Sequence, residues 1–192
     1  MLRILRTAKN WRDFQAILKP LPPKQQGDCF ELLTKNYLQL DPTYKTKLKH
    51  VWFVKEVPPE TRRHLKLPDT DEGIDLVAET KEGEYWAIQC KYRTDETGSL
   101  NRRELSTFTD LAFGICKNIS LALVCTTTDR FSHKLKLHGD RLEFCAGDVW
   151  RALGSDFFRR LDRLLAGQPE GMSGAVAPVL WAQGRREEVV AP

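Results

Sequence analysis

Three observations predict an α/β fold, a central mixed β-sheet flanked by helices. The elements run helix, strand, strand–strand, helix, strand, helix, strand, an order that lays helices over a sheet. Residues 73–93, GIDLVAETKEGEYWAIQCKYR, alternate apolar and polar on both sides of a Gly-containing turn, the pattern of a hairpin. Residues 119–126, ISLALVCT, are apolar almost throughout, as expected of a strand covered on both faces.

Taken in order, residues 2–18 fit one basic amphipathic helix, with Leu2, Leu5, Ala8, Trp11, Ile17 and Leu18 along a stripe between Arg and Lys. Such a helix packs on the domain, contacts a DNA backbone, or docks to another domain. The PLPP run at 20–23 ends it, because proline removes donors and restricts its neighbours. A second helix is expected over 26–40, burying Phe30, Leu33, Tyr37 and Leu40 and leaving Glu31 beside that face. Residues 48–57 read as a strand and 58–73 as a loop rich in Pro and charge, ending in Asp69, Asp71 and Glu72. Strands at 74–80 and 84–92 form the hairpin. Residues 101–117 read as a helix through Leu105, Phe108, Leu111, Ala112 and Ile115, followed by the 119–126 strand. A short helix at 131–137, a strand at 141–145 and an Arg-rich helix at 155–166 complete the pattern. From 167 on, Gly, Pro and Ser recur without periodicity, which predicts a tail or linker with 179–181 docking somewhere. The expected organisation is a helix at 1–19, one domain at 25–166 and a tail at 167–192.

The chain has 192 residues, 41% hydrophobic and 29% charged, enough to bury one core and unlike a disordered segment. Its net charge of +4 is uneven: residues 1–24 carry six basic groups against Asp13, so the remainder is slightly acidic. Five scattered cysteines without a CxxC pair, and four histidines without ligand spacing, argue for reduced thiols in the cytoplasm and against structural zinc. No stretch is apolar for the roughly 18 residues that a membrane span needs, and residues 1–20 show no signal-peptide pattern.

The hairpin carries the chemistry. With Lys81, Glu82 and Gly83 as a three-residue turn and Gly83 left-handed, Thr80 faces Glu84, and counting back sets Asp75 opposite Gln89. Alternation puts Gln89 and Lys91 on one face, and Asp75 joins them across about 5 Å. The other face, with Ile74, Leu76, Ala78, Trp86, Ile88, Cys90 and Tyr92, packs as core. A hard cation such as Mg²⁺ takes oxygen ligands and keeps several waters. Asp75 and Gln89 each offer one oxygen and the Cys90 backbone carbonyl a third, while Glu31, from the preceding helix, binds a second metal or a ligated water. Lys91 would orient a water or offset phosphate charge. The bland alternative is a solvated Asp–Lys cross-strand pair.

These residues resemble the PD-(D/E)xK nuclease superfamily, whose metal site joins an acid on one strand to acid-x-Lys on the next. Asp75 with Gln89-Cys90-Lys91 is similar to the Mrr-like branch, where QxK replaces (D/E)xK. The blocks GDCFELL at 27–33, LDPTY at 40–44, LPDTDEGIDLVAET at 67–80, GEYWAIQCK at 83–91 and CTTTD at 125–129 resemble the N-terminal nuclease domain of type ISP restriction-modification enzymes. The resemblance implies a PD-(D/E)xK restriction-endonuclease-like fold and Mg²⁺-dependent cleavage of double-stranded DNA, with Mn²⁺ as a substitute. It assigns catalytic roles to Asp75, Gln89, Lys91 and Glu31. It also implies helicase and methyltransferase domains outside this chain, since no P-loop or methyltransferase signature is present, and pairing of two copies for double-strand cutting. The neutral Gln89 keeps open a catalytically weak, DNA-binding version of the fold.

Further candidates surround this centre. Thr126, Thr127 and Thr128 leave the buried strand where α/β sheets bind ligands, with Arg130 beside them; they contact phosphates or cap the next helix. Arg102 and Arg103 open a helix as phosphate contacts or solvated charges. Arg159, Arg160 and Arg163 read as a solvated face, His133 and His138 as surface histidines, and the Cys90 thiol as core.

Overall fold

The structure is a computed structural model that describes residues 1–69, 73–131 and 141–168. The chain opens with α1 (Leu2–Thr7), α2 (Trp11–Leu18), α3 (Pro23–Leu40) and α4 (Pro42–Lys47). Strand β1 (Leu48–Phe53), a 3₁₀ turn (Val54–Glu56) and α5 (Pro59–Leu65) lead to the hairpin of β2 (Leu76–Thr80) and β3 (Tyr85–Lys91). Then come α6 (Arg102–Asp110), a π-helical turn (Leu111–Ile115) and β4 (Ile119–Thr126). The last elements described are β5 (Leu142–Cys145), α7 (Gly147–Arg151) and α8 (Ser155–Leu165). The strands form one sheet in the order β1-β2-β3-β4-β5, antiparallel across β1–β3 and parallel across β3–β5. The mixed sheet with flanking helices is therefore as expected.

Both faces of the sheet are covered. Leu76, Ala78, Trp86, Ile88, Leu121 and Leu123 face a core shared with α1, α2, α3, α7 and α8. Val77, Ala87, Ala122 and Val124 face a second core under α5 and α6, through Leu65, Leu105 and Phe108. Trp150 is the hub of the first: its ring lies 4.9 Å from Phe30 and 5.0 Å from Tyr37, and its N–H donates to Thr126 O at 2.9 Å.

The N-terminal segment departs from a single helix. Its first helix ends at Ala8, which is extended, and Asn10 starts the second by accepting the Asp13 N–H at 3.0 Å. Nor does this segment stand apart, since Leu5, Phe14 and Leu18 are fully buried in the first core while Leu2 is 55% exposed. Burying each of these side chains is worth about 1.5–3 kcal/mol. The Arg6–Asp162 ion pair that also ties α1 to α8 is half exposed at both ends and contributes about 1 kcal/mol at most. Packing, not charge, holds α1 in place.

Three short helices interrupt expected loops. Asp41 caps α4 by accepting from Thr43 N at 3.0 Å and Tyr44 N at 3.3 Å. In α5, Pro59 occupies the first turn, where its missing N–H costs nothing, and Lys66 at φ +50° stops the helix. The third is α7. Strand β1 stops at Phe53 rather than at residue 57, and the helix expected over 101–117 becomes π-helical after Asp110. The helix expected at 131–137, His133, His138, Asp71, Glu72 and the 179–181 segment lie outside the described residues, as does the tail beyond Gln168.

Candidate active site at the fork of the hairpin

Gly83 adopts φ +84°, and Thr80 N donates to Glu84 O at 2.8 Å, closing the expected three-residue turn. The ladder runs from Glu79–Tyr85 to Leu76–Ile88, in the register that places Asp75 next to Gln89. There it changes. Asp75 N donates at 2.9 Å to Ile88 O, the residue that Leu76 already faces, so two residues oppose one as in a β-bulge. Alternation is lost with it: Ile74 packs in the core under α6 and Leu76 in the core under α3, although they are two apart.

The bulge corrects the expectation of one shared face. Asp75 is presented from the strand fork rather than from the sheet face of Gln89 and Lys91: its Oδ2 accepts the Cys90 N–H at 2.6 Å, standing where a ladder carbonyl would, between β2 and β3. Val54 N donates to Asp75 O at 3.1 Å, so the turn after β1 pins the same residue from the other side. A strand residue turns its N–H and C=O toward the same neighbour, which leaves the Cys90 carbonyl aimed at this fork. The Cys90 thiol lies against α3 and is pushed well up from its ordinary pKa by burial and then by Asp75.

Gln89 is 3% exposed and sits on the α6 side. Its Nε2 donates to Gly73 O at 2.9 Å, while its Oε1 has no hydrogen-bond partner among the described residues. Gly73 adopts φ +109°, and a Cβ there would lie 3.3 Å from Gln89 Nε2, so glycine suits the approach twice over. Lys91 follows on the same face, half-buried at the end of β3, its carbonyl accepting from Thr127 N at 3.4 Å.

Asp75 opens onto a cleft of about 940 Å³ between α1, α3 and the segment after β1. Helix α3 puts Phe30 and Leu33 into the core and leaves Asp28 and Glu31 on the cleft wall. Asp69 also lines it, as do Arg3, Lys24, Lys55 and Arg62. Arg62 is engaged, donating to Val54 O at 2.8 Å and to Pro68 O. Among the described residues no three His, Cys, Asp or Glu side chains are grouped as a metal site. Of the carboxylates on this cleft, Asp75 and Glu31 are the candidate donors, with the unpartnered amide oxygen of Gln89 behind them. That set fits a hard cation that keeps most of its water.

The polar exit of β4 does different work from that expected. Thr127 and Thr128 are fully buried, and their hydroxyls are committed to backbone. Thr127 Oγ1 accepts from Arg93 N at 2.8 Å and donates to Arg93 O at 3.0 Å; Thr128 Oγ1 donates to Gly98 O at 2.5 Å and accepts from Arg130 N at 3.1 Å. They brace the loop after β3 and are sealed from phosphate. Arg102, Arg103 and Arg130 are exposed, but none lines the cleft. The sequence reading missed Asp28, Arg3, Lys24 and Lys55 as cleft residues, and the excess of charge in residues 1–24 was the available signal for two of them.

A family model described as restriction endonuclease, Mrr_cat_2, matches residues 39–143. The chain belongs to this family. The matched restriction-endonuclease span holds Asp75, Gln89, Cys90 and Lys91, whereas Glu31 precedes it. Among solved structures, the chain is similar to an ATP-dependent type ISP restriction-modification enzyme, LlaBIII, bound to DNA. The match has 24% identity and a TM-score of 0.56 over 76% of this chain. That likeness supports the fold, and the chain spans only 9% of that enzyme. A second match, to the protein of unknown function AF1548, has 20% identity and a TM-score of 0.34 over 47% of this chain and 53% of that one, too low to bear on the fold. No curated protein matches this restriction-endonuclease chain.

Proposed function

We propose that this chain hydrolyses phosphodiester bonds of double-stranded DNA with Mg²⁺, or Mn²⁺ in its place, as the nuclease part of a restriction or anti-phage system. The observation that carries the reading is Asp75: a carboxylate fixed in the strand fork by the Cys90 N–H, opening onto the cleft that Glu31 lines. Asp75, Glu31, the Gln89 amide oxygen and the Cys90 carbonyl are the groups that would hold the ion, which supplies Lewis acidity at the phosphate when bound. The bulge keeps Asp75 oriented without rotamer search, an instance of preorganisation. Lys91, at the strand end, orients the attacking water and offsets charge on the phosphate under attack.

The type ISP relative is an ATP-dependent restriction-modification enzyme, of which this chain corresponds to a small part. By that analogy, helicase and methyltransferase domains outside these residues position the nuclease on DNA, and two copies together cut both strands. Among the described residues no helix is long and apolar enough to cross a membrane, in keeping with cytoplasmic work on DNA.

The test is nicking of supercoiled plasmid by the full chain with Mg²⁺ or Mn²⁺, against EDTA and against Asp75→Ala and Lys91→Ala. Metal-dependent nicking by the unsubstituted chain alone is expected; equal nicking by all three proteins sinks the reading. One observation favours a second reading, a DNA-binding module with little turnover: Gln89 is neutral and its amide is tied to Gly73. That version binds DNA in EDTA as tightly as in Mg²⁺ and nicks nothing.

A further inference from the structure

The cleft sets a problem for a polyanionic substrate. Its walls carry five carboxylates, Asp28, Glu31, Glu56, Asp69 and Asp75, while duplex DNA bears one negative charge per roughly 1.7 Å of its axis. A phosphate brought to Asp75 must therefore be drawn in by cations on the same walls. Three side chains from separate elements supply them: Arg3 from α1, Lys24 from the first turn of α3, and Lys55 from the turn after β1.

We infer that Arg3, Lys24 and Lys55 form a phosphate clamp that seats the DNA backbone over the cleft, so that the duplex approaches across α1 and α3 rather than across α6. The inference rests on the proposed nuclease reading and specifies its substrate path. Other cations of these elements are already committed. Arg6 pairs with Asp162 at 2.7 Å, Lys35 pairs with Glu56 at 2.6 Å, and Arg62 holds two backbone carbonyls. By contrast Arg3, Lys24 and Lys55 form no contact-distance ion pair with a described residue; Lys55 rides over the Phe53 ring at 5.7 Å and adds to Lys35, which already holds the Glu56 carboxyl, in lowering the pKa of that group. Their charge is left for an external anion. The burial of Leu5 and Phe14 gives this arrangement its rigidity, because α1 is held by the core and carries Arg3 to the cleft as a fixed wall. The excess positive charge of residues 1–24 thus has a destination in the fold.

The measurement is binding of the full chain to a short fluorescent duplex in EDTA across a series of salt concentrations. Each phosphate contact contributes about −0.9 to the slope of log K against log salt, so R3Q/K24Q/K55Q is expected to lose about 2.7 units of slope and to bind more weakly at every salt concentration. Arg102→Gln/Arg103→Gln, on the far side, supplies the comparison and should move the slope less. Thermal melting checks that both variants fold. An unchanged slope in the triple variant, or no binding by the unsubstituted chain, overturns the clamp. The nuclease reading is judged separately by Asp75→Asn in the plasmid assay. Loss of nicking there with an unchanged triple-variant slope leaves the nuclease standing and removes the clamp; a lowered slope with no nicking by any protein does the reverse.

Discussion

Replacing Gln89 by Glu writes the common acid-x-Lys pattern into this chain, and the structure predicts that the change costs stability. Gln89 is 3% exposed, and its amide donates to Gly73 O at 2.9 Å. A carboxylate in its place puts a negative oxygen against that carbonyl in a site nearly closed to bulk solvent. Its pKa rises from the unfolded value of about 4.3, since burial disfavours the charged form. Below about pH 4.3 both states are protonated, and the Glu O–H replaces the amide donor, so there is no penalty. As pH climbs toward the raised folded value, the unfolded chain releases its proton first and stability falls by about 1.36 kcal/mol per unit. A shift of about 2 units, modest for a buried carboxyl, amounts to about 2.7 kcal/mol at about pH 8 and about 1 kcal/mol at about pH 5. For a chain of this size that is a melting temperature lower by about 5–11 °C at the higher pH. The assay is thermal melting followed by circular dichroism in EDTA at both pH values, with Gln89→Met for comparison. The methionine variant lacks the donor but adds no charge, and should lose about 1 kcal/mol at either pH. Equal melting of Gln89→Glu and the unsubstituted chain at the higher pH would refute the reasoning.

Three further outcomes follow from the packing around the site. A Cβ at Gly147 would lie 2.9 Å from the Thr127 carbonyl carbon and closer still to its oxygen, so Gly147→Ala should lower stability by about 2 kcal/mol or more, read from the urea midpoint. Thr127→Val keeps the shape but strands Arg93 N and O, both bonded by the hydroxyl; a loss of about 2–4 kcal/mol is expected, with faster hydrogen exchange at the Arg93 amide. Burial pushes the Cys29, Cys90, Cys116 and Cys125 thiols up, which disfavours thiolate at neutral pH, so these cysteines should react with a thiol reagent only after denaturation. Fast labelling of the native chain at Cys90 would contradict the packing of β3 against α3.

The hairpin was legible because its information is local. Turn chemistry at Gly83 and strict alternation set the Leu76–Ile88 register, and the apolar run of β4 has the same bounds in the structure as in the sequence. The bulge at Asp75 was not legible. It goes with the turn after β1 capturing the Asp75 carbonyl through Val54, a contact between segments about twenty residues apart that no hairpin pattern contains. Short helices escaped for a similar reason: α5 begins at a proline and has fewer than two turns to show periodicity, too little to stand out from a charged loop. Thr127 and Thr128 misled because a hydroxyl at a strand exit looks the same whether its partner is a phosphate or the folded-back backbone at Arg93 and Gly98. Glu31 was found only through the stripe of α3, which fixes its side of the helix relative to Phe30 and Leu33.

The fork also explains why position 89 carries no charge. The bulge turns Asp75 toward the open side with Glu31, and α6 closes the opposite side over Gln89 and Gly73. A site closed in this way tolerates a neutral amide that donates to a carbonyl, whereas a carboxylate there would be a buried charge facing that carbonyl. The negative charge of the centre is thus held on the side where water and the cleft can reach it, while the neutral residue stabilises the backbone that presents Asp75. On this view Gln89 is shaped first by its packing, and any ligand role of its Oε1 is added to a structural one. The two roles separate experimentally: Gln89→Met in EDTA reads the structural part alone, and the difference that Mg²⁺ makes to melting of the unsubstituted chain and of Gln89→Met reads the rest, since an ion bound only to the folded state stabilises it by about 2.7 kcal/mol at a hundredfold excess over its Kd.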